Sequence, residues 1–566
     1  MFNLTKMYKS LLIGFVLVGM NWTLGIGQPL PSIGLQEYQA GSYNGYTLFD
    51  PFFSTSVYLI DNCGNKIHEW TGNYFPAASV DLLENGHLMR TSNTAINSNP
   101  NFVFAGGGEL IQELDWDSNL VWEFKYSDSL HRMHHDFKRL PNGHVIFPAW
   151  ELKTREEAIA AGRDTTKLPD GVLWSETIVE VDPAMDSIVW QWHLWDHLIQ
   201  DFDSTKNNYG IIKNHPELLD INLTGGQTLT GGANWLHVNT IDFNPMMNQI
   251  LFSSPFISEL FIIDHSTTTA QAAGHSGGNS LNGGDLLYRW GNPQNYDHGT
   301  AADQQLFGAH TVKWIPPGLP DAGKIMFFNN GPHLDGPYSS VDIINPPIDN
   351  YSLGQYIYIP GVAYGPSAAE WSYRSDPPTS LFSPILSSGQ RLPNGNTLIC
   401  SGANGRFFEV DTAGQIVWDY VNPVIHTGVM AQSDTVPVVN GLNANLVFRI
   451  TRYGESYPGL ANQDLTPSGK LEIEDVVIAD CFIKTRRQEL LRPITSIYPN
   501  PASDRLQLRL PENTLATLRL FDAMGREVFH QTVNHGDIEI NVTHLPVGWY
   551  VLQIPGYQPQ KVMISR

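Results

Sequence analysis

Three histidines stand seven residues ahead of the same kind of turn in three successive copies of one pattern. His135 precedes Asn142 in HHDFKRLPNG, His237 precedes Asn244 in HVNTIDFNPMMNQ, and His310 precedes Pro317 in HTVKWIPPGLPDAG. Imidazoles that meet can bind a metal, hold an oxyanion when protonated, or supply a nucleophilic nitrogen. If each copy is one blade of a β-propeller, equal register puts all three on inner strands facing the central axis. MHHDF adds His134 and Asp136. Neighbours in a strand point to opposite faces, so the register selects His135 and turns Asp136 away from the axis. His68, His87, His144, His193 and His265 lack the register and read as structural.

The elements that must carry these side chains recur from about residue 44 to 450. An Asn-Gly type turn follows an inner strand; an apolar strand, a Glu/Asp-bearing strand and a strand ending in Trp come next. The copy RLPNGNTLICSGANGRFFEVDTAGQIVWDYVNP is the cleanest of six. The first, GYTLFDPFFSTSVYLIDNCGNKIHEW, lacks an inner strand, which NANLVFRITRY near residue 445 could supply to close the ring. Trp70, Trp122, Trp192, Trp290, Trp371 and Trp418 recur near the copy ends, where packing between neighbouring blades explains them. Tight turns and repeat spacing predict four-stranded blades, hence an all-β six-bladed β-propeller. Two insertions of helical composition, 151–163 and 194–222, flank the histidine copies and could cap a pocket or merely decorate the surface.

The 566 residues carry 42% hydrophobic content, enough for a sizeable core, and a formal charge of -23, which argues against nucleic acid as a partner because phosphates need a basic face. Lys6 and Lys9 precede an apolar run from Leu11 to Met20 and then small residues, predicting a signal peptide over 1–27. The run is short for a membrane span, which needs about 20 apolar residues. Three cysteines, Cys63, Cys400 and Cys481, leave at least one thiol unpaired in the monomer and do not say which two would pair. The propeller is assigned to 28–485. After it, RRQELLRP reads as a linker, and 486–566 as linker plus a small C-terminal β-sandwich of alternating strands.

The motifs HHDFKRLPNG, WLHVNTIDFNP, IIDHSTTTAQAAGHSGG, GDLLYRWGNPQNY, RLPNGNTLIC and RYGESYPGL resemble those of bacterial aryl-sulfate sulfotransferases over roughly residues 40–465. That resemblance implies a six-bladed propeller that moves a sulfuryl group from an aryl sulfate donor to a phenolic acceptor. It implies a sulfated histidine on the way and no nucleotide donor or other cofactor, and no GxxxxGK[ST] phosphate loop occurs. It places the nucleophile on His310 and the supporting histidines on His237 and His135, acting as imidazolium or N–H donors, with His134 a further supporting candidate. The family carries a catalytic arginine in Ser-Ser-Arg, where this chain reads Ser253-Ser254-Pro255, and GAHT stands where the family shows Gln-His-Asp. Proline supplies no donor, so Arg289, Arg391, Arg406 and Lys313 become the candidate substitute cations.

YPNPASDRLQL, DAMGREV, LPVGWYVLQI and the terminal KVMISR resemble the type A sorting domain of the type IX secretion system of Bacteroidetes. That implies the secretion machinery as a partner, and a protein secreted or held at the outer-membrane cell surface. Two other functions fit the residues. Three imidazoles also suit zinc or iron in a metal-dependent propeller hydrolase. Loss of the arginine suits a non-catalytic sulfate- or glycan-binding propeller.

Overall fold

A computed structural model describes residues 32–94, 99–224, 232–475, 481, 497–510, 516–521, 527–533, 536–554 and 560–566. The expected signal peptide and the RRQELLRP linker lie outside these residues. The protein is all-β with almost no helix. Among the described residues between 34 and 454, six antiparallel sheets of four or five strands follow one another. The first joins Val447–Gly454, Gly45–Pro51, Ser56–Ile60 and Lys66–Thr71, so the late strand does supply the innermost position of the first copy.

The next four sheets begin at Phe75–Leu82, Lys138–Arg139, Thr240–Asn244 and His310–Trp314, and each ends on a strand bearing one of the repeated tryptophans. The sixth runs from Ser388–Arg391 to Ile416–Val421 and gains Gly34–Tyr38 on its outer edge. Because side chains alternate across a strand, each strand feeds two cores. In Gln249–Ser254, Ile250 and Phe252 pack toward the third sheet while Leu251 packs toward the fifth. Six apolar clusters arise in this way between successive sheets, and the last lies between the sixth sheet and the first. The tryptophans stitch these seams: Trp70 Nε1 donates to Asp115 O, Trp192 to Gly284 O, Trp290 to Pro366 O and Trp418 to Asn62 O, each on the following sheet or the loop beside it.

Of the two insertions, 151–163 extends the strand Val145–Thr154 and then forms a short helix, Arg155–Ala160, closed by a Thr154/Glu157 capping box. The stretch 194–222 departs from its helical expectation: it holds 3-10 turns at Leu194–Asp196 and Ile212–Asn214 and a short parallel pair, Leu198–Ile199 with Leu219–Asp220. DFDSTKNNYG between them is rich in residues that bond their own backbone and so favour turns over helix. Cys63 and Cys481 form a disulfide, and Cys400 is a buried free thiol whose pKa burial pushes up. At the C-terminus a three-stranded sheet and a four-stranded sheet share one apolar core built on Leu506, Leu508, Leu520, Leu552 and Val562. No helix among the described residues is long and apolar enough to cross a membrane.

Candidate active site

His135 and His237 lie in the segments that lead into the innermost strands rather than within them, and both take positive φ, 54° and 58°. His310 is the first residue of its strand, and Thr311 beside it has φ 50°. Non-glycine residues seldom hold this conformation, and here it recurs at or beside the histidine of three successive sheets. His135 N donates to Gly106 O at 2.7 Å, and a side chain at position 106 would fall within the space of the His135 ring. Only glycine fits there.

The left-handed turn at His135 breaks the strand alternation on which its neighbours were assigned. His134 is fully buried and reaches the same place: its Nδ1 lies 3.0 Å from His135 Nδ1, and its Nε2 donates to Glu176 Oε2 at 2.9 Å. Asp136 does not turn away from the axis as alternation required. Its carboxylate accepts from Ser79 Oγ, Ile241 N and Arg449 Nη1, groups of three other sheets.

The imidazoles converge. The His135 and His237 rings are 4.5 Å apart, and Phe448 lies 6.2 Å from both His135 and His310. Phe256 stacks on His237 at 4.7 Å, and Phe104 meets it edge-on at 4.8 Å. Burial pushes His135 well below the usual histidine range, and His237, His134 and His310 add to this. Burial likewise lowers His237, with His134 and His310 contributing. His310 is pushed down to about 4, chiefly by burial, against the opposing pull of Asn330 and Gly308. The three rings are therefore neutral in the free protein at neutral pH, which removes the imidazolium form of His135 and His237; with His134 Nε2–H on Glu176, His135 donates its Nδ1–H to His134 and keeps Nε2 as an acceptor.

Fixed partners set the tautomers. His310 Nδ1–H donates to Gly308 O at 3.1 Å and Asn330 Oδ1 at 2.8 Å; a carbonyl only accepts, so Nε2 keeps the free lone pair. Asn330 is itself locked by donating to Ser383 O and Leu386 O. Asn234 Nδ2 donates to His237 Nδ1 at 2.9 Å, which leaves His237 Nε2–H as a donor.

The candidate cations are placed otherwise than the missing arginine would be. Arg289 is buried against Glu259, with bonds of 2.9 and 2.6 Å, and lies over Tyr296. Arg391 pairs with Asp321 at 3.0 Å, and Arg406 makes a two-pronged pair with Asp419. All three charges are committed to carboxylates. Lys313 is buried among inner-strand charges; burial and then Arg449 lower its pKa. Arg449, which the sequence reasoning missed, contacts Asp136 at 2.6 Å and Asp81 at 3.6 Å, and against burial these two raise its pKa. It follows Phe448 in the chain, so it lies one residue from a ring that touches the histidines.

Glu176, Asn234, Asn330 and Gly106 were also missed; Glu176, Asn330 and Gly106 each come from a different loop or strand than the histidine they hold, while Asn234 lies only three residues before His237. A cavity of about 380 Å³ opens beside the cluster, lined by Phe52, Phe53, Phe75, Phe104, Gly106 and Arg132. It reaches the imidazoles through Gly106 and Phe104.

Successive antiparallel sheets bring buried histidines together beside an aromatic cavity. The arylsulfotransferase (ASST) family model matches residues 41–429, and the chain belongs to that family. A secretion system C-terminal sorting domain matches residues 496–564, a type IX signal that directs export to the cell surface or release. No curated protein matches. Among solved structures, a protein of unknown function from Bacteroides caccae is similar at 11% identity and TM-score 0.37, covering 73% of this chain and 100% of that one. A streptogramin B lyase is similar at 10% identity and TM-score 0.33, covering 76% of this chain and 96% of that one.

Proposed function

We propose that this protein is a six-bladed propeller enzyme that transfers a sulfuryl group from an aryl sulfate ester to a phenol through a sulfated His310. Family membership supports the sulfotransferase class. The observation that carries the mechanism is the His310 tautomer: Nδ1–H held by two acceptors, Nε2 free and neutral. In the first half-reaction the Nε2 lone pair forms a bond to sulfur, the sulfur–aryl oxygen bond breaks, and its electron pair leaves on the phenolate. The His237 Nε2–H stabilises that oxygen, and His135 Nε2, left as an acceptor by the Glu176–His134–His135 hydrogen bonds of 2.9 and 3.0 Å, takes the proton of the acceptor phenol in the second half-reaction. Positive charge on the sulfated ring is spread onto Nδ1–H, where Gly308 and Asn330 already wait. The acceptor phenol then reverses the sequence, giving ping-pong kinetics.

The aromatic cavity suits the aryl ring of donor or acceptor, since offset and edge-on ring pairs add about 0.5–1.5 kcal/mol beyond area burial. The propeller over 28–485, the C-terminal sandwich and the signal peptide over 1–27 form part of the same proposal. The metal-hydrolase reading is weaker: the ligand atoms of the three central histidines are not among the described groups that gather within 4.8 Å. The binding-module reading keeps one observation in its favour, Pro255 in place of the arginine. The deciding experiment is mass spectrometry after brief exposure to 4-nitrophenyl sulfate. A gain of one sulfuryl group on the His310 peptide, absent in His310→Ala, is expected; turnover with no such adduct refutes the pathway.

A further inference from the structure

A second histidine cluster lies away from the central one. His197, in the connection after the third sheet, is fully buried and stacks on Trp192 with ring centroids 5.5 Å apart. Its Nε2 lies 2.8 Å from Ala272 O and its Nδ1 lies 2.8 Å from Asp285 Oδ1. His275 Nδ1 approaches the same Asp285 oxygen at 2.8 Å. A carbonyl only accepts, so the Nε2 proton points to Ala272. His197 Nδ1 is left facing the same Asp285 oxygen that His275 Nδ1 approaches. Gly284 keeps this contact close, because a Cβ at that position would stand 1.9 Å from Ala272 O and 2.7 Å from His197 Nε2.

We propose that His197 Nδ1, His275 Nδ1 and Asp285 Oδ1 bind one divalent transition-metal ion, zinc by the chemistry of the set. The three ligand atoms already lie within 4.8 Å of one another. Two imidazoles and one carboxylate are a recurrent zinc set, and a metal-bound histidine ordinarily donates its other N–H to a carbonyl or carboxylate, as His197 does to Ala272. Zinc bonds of about 2.0–2.1 Å in a tetrahedron place ligand atoms about 3.3 Å apart. The present 2.8 Å contacts therefore open by about half an ångström to admit the ion. His197 is locked, and the exposed His275 is free to make that adjustment.

Asp285 also lines a polar cavity of about 400 Å³ with Glu217, Asp349 and Tyr364, from which water would complete the sphere. The ion would join the 194–222 connection to the loop that precedes Tyr288–Trp290, two segments that share no strand pairing, and would leave the chemistry at His310 independent of it.

The test uses the full chain, stripped with a chelator, reloaded with zinc chloride and desalted. Elemental analysis is expected to find one zinc per chain, and competition with a chromophoric chelator to show affinity at least tenfold weaker in His275→Ala and in Asp285→Asn. His215→Ala, another exposed histidine beside a carboxylate, leaves the affinity unchanged and serves as the control. His275 is exposed, so its loss does not threaten the fold. Absence of stoichiometric zinc, or affinity that does not change in His275→Ala, overturns the proposal and leaves His197 and Asp285 as a buried hydrogen-bonded ion pair.

Discussion

The acid limb of the pH–rate profile tests the buried nucleophile. His310 is held at about 4, chiefly by burial, while an exposed histidine titrates near 6.5. At about pH 5 a ring with that depressed value is about 90% neutral, whereas an ordinary one is about 3% neutral, a difference of about 30-fold in available nucleophile. Because kcat/KM reports ionisations of the free enzyme, it reads this difference directly. Transfer from 4-nitrophenyl sulfate to phenol, followed by quenching and chromatography so that ionisation of nitrophenol plays no part, is the assay. From about pH 7.5 to about pH 5, kcat/KM is expected to change by less than about twofold, with the acid limb centred near 4. His135 and His237 are lowered as well and do not move this limb upward. Circular dichroism at each pH separates unfolding from titration. A limb centred near 6.5, with most of the rate gone by about pH 5 in folded protein, refutes the neutral buried nucleophile.

The same shifts make stability fall with acid. A histidine lowered by folding binds its proton in the unfolded chain first, so stability is complete above about pH 6.5 and is lost as pH falls from there toward the folded value. For His310 the loss by about pH 5 is about 2 kcal/mol, and guanidinium titrations at about pH 7.5 and 5 should show that much less acid sensitivity in His310→Gln. Asn330→Ala removes a buried acceptor from Nδ1–H, worth about 1–3 kcal/mol, so kcat should fall by about 5- to 100-fold while the sulfuryl adduct still maps to His310; an unchanged kcat removes Asn330 from the mechanism. Pro255→Arg puts a guanidinium beside Phe256, which stacks on His237, and should raise kcat/KM by about tenfold or more, as expected of an added donor. If it creates activity that the natural chain lacks altogether, the natural protein is a binding module.

What the sequence could say followed from periodicity. Strand alternation and the recurring Trp gave the sheets and the inter-sheet seams, and even the late strand Val447–Gly454 was legible because a four-strand pattern lacked one member. Alternation failed at the one place where the backbone leaves the strand. With φ at 54°, His135 no longer sets the faces of its neighbours, so His134 and Asp136 both turn into the interior, against the rule that puts them on the face opposite His135. The partners that fix the tautomers were beyond reach for another reason: Asn330 lies 20 residues after His310, and Glu176 lies 42 residues after His134. A hydrogen bond across such separations leaves no local signature. Arg449 was hidden because it sits on the strand that closes the first copy, far in sequence from every histidine motif. The 194–222 segment was misread because its composition was averaged, while its Asp, Asn, Gly and Ser residues act one at a time on the backbone.

On the proposed reading, Pro255 in place of the arginine changes how the site would stabilise the reaction. Beneath the histidines, Lys138, Lys313 and Arg449 face Asp81, Asp136 and Asp242, so the charges of that layer are paired. On the proposed reading, the aryl ring of a sulfate monoester would rest against Phe52, Phe75 and Phe104, with Arg132 the cation lining the same cavity. As the sulfur–oxygen bond breaks, charge moves onto the leaving oxygen, where N–H donors in a dry pocket act most strongly. Stabilisation that is weak in the ground state and strong in the transition state raises kcat rather than lowering KM. Neutral imidazoles also avoid mutual repulsion that three buried cations with two rings 4.5 Å apart would suffer. On the proposed reading, burial of the rings and the absence of a guanidinium at position 255 act in one direction: both shift the electrostatic contribution toward releasing phenolate.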